Sequence, residues 1–106
     1  MQPANILVAD DDAVARELLA DALKKEGYDV EAFASGEAII ARGRQGRVDL
    51  VLTDIRMGAV DGLTVLREFK RMSPDTAVVV LTSFGSLEGA IEAIKQGAYD
   101  YLAKPF

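Results

Sequence analysis

Short apolar runs alternate along the chain with longer stretches in which apolar residues recur every three or four positions. Ile6-Leu7-Val8-Ala9 is the first run, and its continuity predicts a strand covered on both faces. From Ala13 to Glu26 the apolar residues Val14, Leu18, Leu19, Ala22 and Leu23 form the inward stripe of a helix that Gly27 ends. The segment from Tyr28 to Ala34 is a more polar strand, suited to a sheet edge. Ser35 caps a helix running to about Arg44, and Val48 to Thr53 makes a third strand. Asp61 caps the next helix, whose inner face uses Leu63, Leu66 and Phe69, with Pro74 just past its end. Ala77 to Thr82 is the most apolar strand. Ser86 starts a fourth helix with Leu87, Ala90, Ile91 and Ile94 inward, stopped by Gly97. Tyr99 to Ala103 is a short fifth strand, with one of its two tyrosines expected in the core.

This alternation predicts an α/β domain, residues 1–106, built on a parallel sheet with right-handed crossovers. No internal repeat, linker or low-complexity segment interrupts it. Both faces of a parallel sheet need covering, and four helices over five strands leave one face partly bare. The chain therefore reads as a truncated N-terminal piece of a longer protein. An exposed apolar patch is expected, with lower stability or pairing with a second copy as its consequence.

Composition narrows the chemistry. The 106 residues carry a net charge of −5, which disfavours nucleic-acid binding by this domain. The absence of cysteine and histidine removes disulfides, thiolate and imidazole metal sites, and Ser-His-Asp or Cys-His catalysis. No apolar run approaches the roughly 20 residues that span a bilayer, and no secretory signal is visible, so a cytoplasmic location is expected.

In an open parallel sheet, ligands bind beyond the carboxyl ends of the strands. Strand one runs directly into Asp10, Asp11 and Asp12; strand three ends at Asp54, strand four at Thr82, and Lys104 follows strand five. If those strands are neighbours, the residues converge. Asp10, Asp11 and Asp54 would then put three carboxylates side by side, an arrangement that raises a pKa or recruits a metal. Oxygen-only ligands favour a hard ion, Mg²⁺ or Mn²⁺. A hydroxyl from Thr82 and an ammonium from Lys104 complete a set suited to a phosphoryl group, with a carboxylate able to act as nucleophile. Asp12 and Asp61 are read as helix caps. Neither Gly-rich phosphate-loop pattern occurs.

The stretches ILVADDDAVAREL, VDLVLTDIRMGAVDGL, VVVLTSFGS and AIKQGAYDYLAKPF resemble the response-regulator receiver domain of two-component signalling, in order and over essentially the whole chain. The resemblance implies a flavodoxin-like five-stranded sheet of order 2-1-3-4-5, with the family's fifth helix absent from this chain. It implies that Asp54 is the phosphoacceptor, that Asp10 and Asp11 are the acidic pair, and that Asp11 is the direct Mg²⁺ ligand. The backbone carbonyl of Arg56 adds a metal ligand. Thr82 and Tyr101 become the switch pair, and Lys104 the phosphate-binding lysine, joined to Pro105 by a cis peptide. Partners implied are a sensor histidine kinase, an output domain in the parent chain and a possible homodimer. The stretch LTSFGSLEGAIEAIKQGAYDYLAKPF also resembles receivers of AAA+ enhancer-binding transcription activators, which would add ATPase and DNA-binding domains. One departure is visible: Gly58 follows Met57 where the family usually has proline, which should loosen the loop after strand three.

Two other readings compete with a phosphorylation switch. A haloacid-dehalogenase-like phosphatase would use Asp10 as nucleophile and Asp12 as acid, but the late acidic motif is missing and Asp54 is left without a role. A non-phosphorylated binding module on the same fold would leave the acidic site unexplained. A flavin site is disfavoured, because the first strand-helix turn holds acids where phosphate needs amides and hydroxyls.

Overall fold

The computed structural model describes residues 3–83 and 87–104. Nine elements alternate: β1 (Asn5–Ala9), α1 (Ala13–Lys25), β2 (Asp29–Phe33), α2 (Gly36–Gly43), β3 (Leu50–Asp54), α3 (Gly62–Met72), β4 (Ala77–Thr82), α4 (Leu87–Lys95) and β5 (Asp100–Ala103). The strands form one parallel sheet in the order β2-β1-β3-β4-β5, the flavodoxin-like arrangement expected from the sequence. The polar strand β2 takes one edge. Registers such as Ala9 beside Thr53 and Thr53 beside Val80 bring the carboxyl ends of β1, β3 and β4 level.

Alternation along each strand divides the core into two layers. Leu7, Ala9, Val51, Val78 and Val80 face α2, α3 and α4, meeting Ile39, Ile40, Val65, Leu66, Phe69 and Ala93. Ile6, Val8, Leu52 and Val79 face the other way, against Leu19 and Leu23 of α1. The caps fall where the sequence put them. Asp12 accepts from the amides of Val14 and Ala15, Ser35 from Ala38, and Asp61 from Thr64. Each such cap satisfies amide donors that have no partner inside the helix. Ser86 and Pro105 lie outside the described residues.

Three expectations about faces are corrected. In α1, Ala20 is buried and Leu19 and Leu23 are half-buried, whereas Val14 and Leu18 are 66% and 68% exposed. The inner face is narrower than the apolar stripe: Leu19 and Leu23 pack against Ile6, Val8, Leu52 and Val79, and Val14 and Leu18 lie outside that contact. In α4 the buried residues are Ala90 and Ala93, while Leu87, Ile91 and Ile94 are exposed. Small residues let that helix approach the sheet closely, so its large side chains turn outward. Finally, Tyr99 and Tyr101 are both exposed: residues two apart in a strand share a face, so neither enters the core. Leu102, on the opposite face of β5, is exposed as well.

Gly58 has φ +60°, a left-handed conformation open to glycine and closed to proline, whose ring holds φ near −65°. Proline in the place of Gly58 would therefore require a different backbone conformation at this position.

Candidate functional site

Four strand ends supply the site. β1 places Asp10 immediately after Ala9, with Asp11 on the turn into α1; β3 ends on Asp54; β4 ends on Thr82; Lys104 follows β5. One carboxylate oxygen from each of Asp10, Asp11 and Asp54 can be chosen so that all lie within 4.8 Å of one another. The Lys104 ammonium closes the group, 2.5 Å from Asp10 Oδ2 and 3.4 Å from Asp54 Oδ2. Residues up to 94 positions apart in sequence thus meet at one rim of the sheet.

Every polar group of Asp10 is engaged. Its amide donates to the Phe33 carbonyl, and its own carbonyl accepts from Arg16 Nη1 at 2.9 Å. Its Oδ1 accepts from the Asp12 amide at 3.0 Å, and its Oδ2 from Lys104. With Asp10 only 1% exposed, these bonds make burial of a carboxylate tolerable. Asp11 is the opposite case: exposed, with no hydrogen bond to its side chain among the described residues. A buried, committed Asp10 beside an exposed, uncommitted Asp11 fits a cluster in which Asp11 is the freer ligand.

Asp54 lies between these extremes. Burial pushes its pKa above the ordinary carboxylate value, and the Asp10 charge pushes the same way. The Lys104 charge, the Lys104 hydrogen bond and the backbone amide of Arg56 oppose that shift without cancelling it. Lys104 is shifted upward: its burial works against the ammonium, but the bond to Asp10 and the Asp54 charge outweigh it. The site in the absence of a cation is therefore short of positive charge.

Local packing fixes where Asp54 sits. The amide of Gly62 donates to the Ile55 carbonyl at 2.7 Å, and α3 starts against the end of β3. A Cβ on Gly62 would lie 2.3 Å from the Asp54 carbonyl oxygen, so only glycine permits this approach. Thr82 is buried, its hydroxyl 3.5 Å from the Leu102 carbonyl, while its own carbonyl accepts from the Lys104 amide at 2.6 Å. Tyr101 stands beside Val80 in the β4–β5 register. The Arg56 side chain is exposed.

Sequence reasoning gave Arg16 and Gly62 no part in the site. Gly62 is detectable only from the approach of α3 to β3. Arg16 lies six residues from Asp10, and nothing in the helical pattern shows that its guanidinium folds back over the turn. For a phosphatase built on Asp10, the geometry is unfavourable, since both Asp10 oxygens are occupied and the Asp12 carboxylate caps α1.

Donor chemistry agrees with a hard cation. Three carboxylates, two at least partly shielded and one open to solvent, are the ligand type that Mg²⁺ or Mn²⁺ takes. No described helix is long and apolar enough to cross a membrane.

Comparison with known proteins yields a consistent result. The transcriptional regulatory protein ZraR of Salmonella typhimurium is 43% identical over 101 residues, covering 95% of this chain and 23% of ZraR. The DNA-binding transcriptional regulator NtrC of Proteus hauseri is 38% identical over 106 residues, covering 100% of this chain and 22% of NtrC. The chain thus spans less than a quarter of the length of these relatives. Among solved structures, the receiver domain of NtrX from Brucella abortus is 36% identical with a TM-score of 0.90, covering 95% of this chain and 86% of that one. A response regulator protein from Burkholderia pseudomallei, with a phosphorylated aspartic acid and a calcium ion, is 31% identical with a TM-score of 0.89 over 97% of this chain and 61% of that one. The model of the response regulator receiver domain matches residues 6–106, and with it the chain is established as a member of that family.

Proposed function

We propose that this domain is a phosphorylation switch in which Asp54 takes a phosphoryl group from a histidine of a partner kinase. The observation that carries the reading is the meeting of Asp54, Asp10, Asp11 and Lys104 at one rim of the sheet. These 106 residues include no histidine, so the donor residue lies outside this domain. An Asp54 carboxylate oxygen attacks phosphorus, the P–N bond to imidazole breaks, and the imidazole nitrogen keeps the electron pair and takes up a proton. The product is an acyl phosphate on Asp54.

Asp10, Asp11, Asp54 and the Arg56 carbonyl would hold Mg²⁺ or Mn²⁺. The ion supplies charge neutralisation for the phosphoryl oxygens and the acid cluster. The Burkholderia pseudomallei relative carries a phosphorylated aspartic acid and a calcium ion, which supports the same pairing of acceptor and cation here. Lys104, already between Asp10 and Asp54, turns toward the new oxygens. The phosphate adds about −1.5 to −2 charges, and the Thr82 hydroxyl leaves the weak 3.5 Å contact with Leu102 to donate to it. Tyr101 changes rotamer in concert, and the face formed by α4 and β5 is the surface that output partners read. An output domain in the parent protein and pairing of two copies through that face follow from the same reading. Fusion to transcriptional output is supported by the ZraR and NtrC relatives, whose lengths this chain covers only in small part.

Incubation with radiolabelled acetyl phosphate and Mg²⁺ tests the reading. Label that hydroxylamine and base release is expected on the protein and absent from Asp54→Asn. Undiminished labelling of that variant would place the acceptor elsewhere. Amide shifts left unchanged by Mg²⁺ and beryllofluoride would instead favour a module that does not take up phosphate.

A further inference from the structure

We infer that Arg16 is a positioning residue for the metal ligand Asp11, acting through the backbone of Asp10. The inference rests on the phosphorylation-switch reading and deepens it. Arg16 lies in the second turn of α1, yet its Nη1 reaches back to the Asp10 carbonyl at 2.9 Å. That carbonyl belongs to the peptide unit that also contains the Asp11 amide. Holding it fixes the plane of the peptide and with it the Asp11 N–Cα bond, which narrows the range of directions open to the Asp11 side chain.

Asp11 needs this help. Its carboxylate has no hydrogen bond among the described residues, while Asp10 is pinned at its amide and at both side-chain oxygens. Those three contacts orient Asp10 itself; the Arg16 bond is the one that acts on the peptide leading into Asp11. Residues that orient metal ligands without touching the ion typically change affinity by about 10–100-fold. The guanidinium also brings a positive charge toward the cluster. As a competing effect, that charge would repel a divalent cation, so the two roles predict opposite signs on its removal. A half-buried guanidinium bonded to a carbonyl favours the orienting role.

Arg16→Met keeps the apolar stem and removes every donor; Arg16→Lys keeps a donor group and the charge. Mg²⁺ affinity is read by amide shifts, and phosphorylation by acetyl phosphate labelling at limiting and saturating Mg²⁺. The expected result is about 10-fold weaker Mg²⁺ binding in Arg16→Met, recovery to within about 3-fold in Arg16→Lys, and near-normal labelling of both at saturating Mg²⁺. Metal-free spectra of β2 and α3 serve as the folding check, and Arg16→Leu, equally without a donor, replaces Arg16→Met if the latter does not fold. Unchanged or tighter Mg²⁺ binding in the donor-free variant overturns the assignment while leaving the switch reading intact. Failure of the unaltered protein to bind Mg²⁺ or take label overturns both.

Discussion

Replacing Asp54 by asparagine should make the metal-free domain more stable, even though it destroys the proposed acceptor. Asp54 shares a rim with two other carboxylates no more than 4.8 Å away and with Lys104 at 3.4 Å. At an effective dielectric of about 40, each acid repels Asp54 by about 1.7 kcal/mol and Lys104 returns about 2.4 kcal/mol. The net cost of the Asp54 charge is about 1 kcal/mol, and burial of the carboxylate adds to it in the same direction. Thermal unfolding in EDTA at pH 7 should therefore show Asp54→Asn melting about 4–8 °C higher. The pH dependence carries the sign. A carboxylate whose folded pKa is raised destabilises the fold above that pKa and is relieved as pH falls through it. The advantage of the variant should shrink from neutral pH downward and vanish near the ordinary value of 3.8. Mg²⁺ should narrow the gap from the other side, because ten times its Kd adds about 1.4 kcal/mol to whichever protein binds it. An Asp54→Asn variant less stable than the parent in EDTA, or a difference independent of pH, would refute this account of the charge balance.

Three further outcomes follow. Lys104→Met leaves Asp10 buried without its counter-ion and should cost about 2 kcal/mol in urea at pH 7; the unaltered protein should lose that same contribution only as pH rises through the raised lysine pKa, above its usual 10.5. Gly62→Ala forces a methyl against the Asp54 carbonyl and should cost about 3 kcal/mol while weakening Mg²⁺ binding, both readable in one denaturant series with and without metal. Gly58→Ala should cost about 1 kcal/mol for the left-handed backbone, and Gly58→Pro more; equal stability of the proline variant would mean that the loop takes another path.

The sheet and the site were legible because both depend on strand ends. An unbroken apolar run closed by an acid or followed by a lysine says where a strand stops and which polar group it delivers, so the meeting of Asp10, Asp54 and Lys104 is legible without coordinates. Caps were legible for a similar local reason, since Asp12, Ser35 and Asp61 satisfy amides only two or three residues away. Helix faces were less so. Val14, Leu18, Leu87, Ile91 and Ile94 have the inward spacing, but position relative to the sheet decides burial, and alanines occupy the inner positions of α4. Arg16 and Gly62 were invisible because each matters through a carbonyl of another segment, and backbone proximity leaves no mark on the spacing of side chains.

The way α4 is fastened has a dynamic consequence. α3 is held by Val65, Leu66 and Phe69, all fully buried, whereas α4 rests on the methyl groups of Ala90 and Ala93. Apolar area removed from water sets much of the free energy of local opening, so α4 should exchange its amide protons well before α3 does. The element nearest in sequence to Thr82 on its carboxyl side is thus held by less buried apolar surface than α3, and displacing it from the sheet should cost correspondingly less.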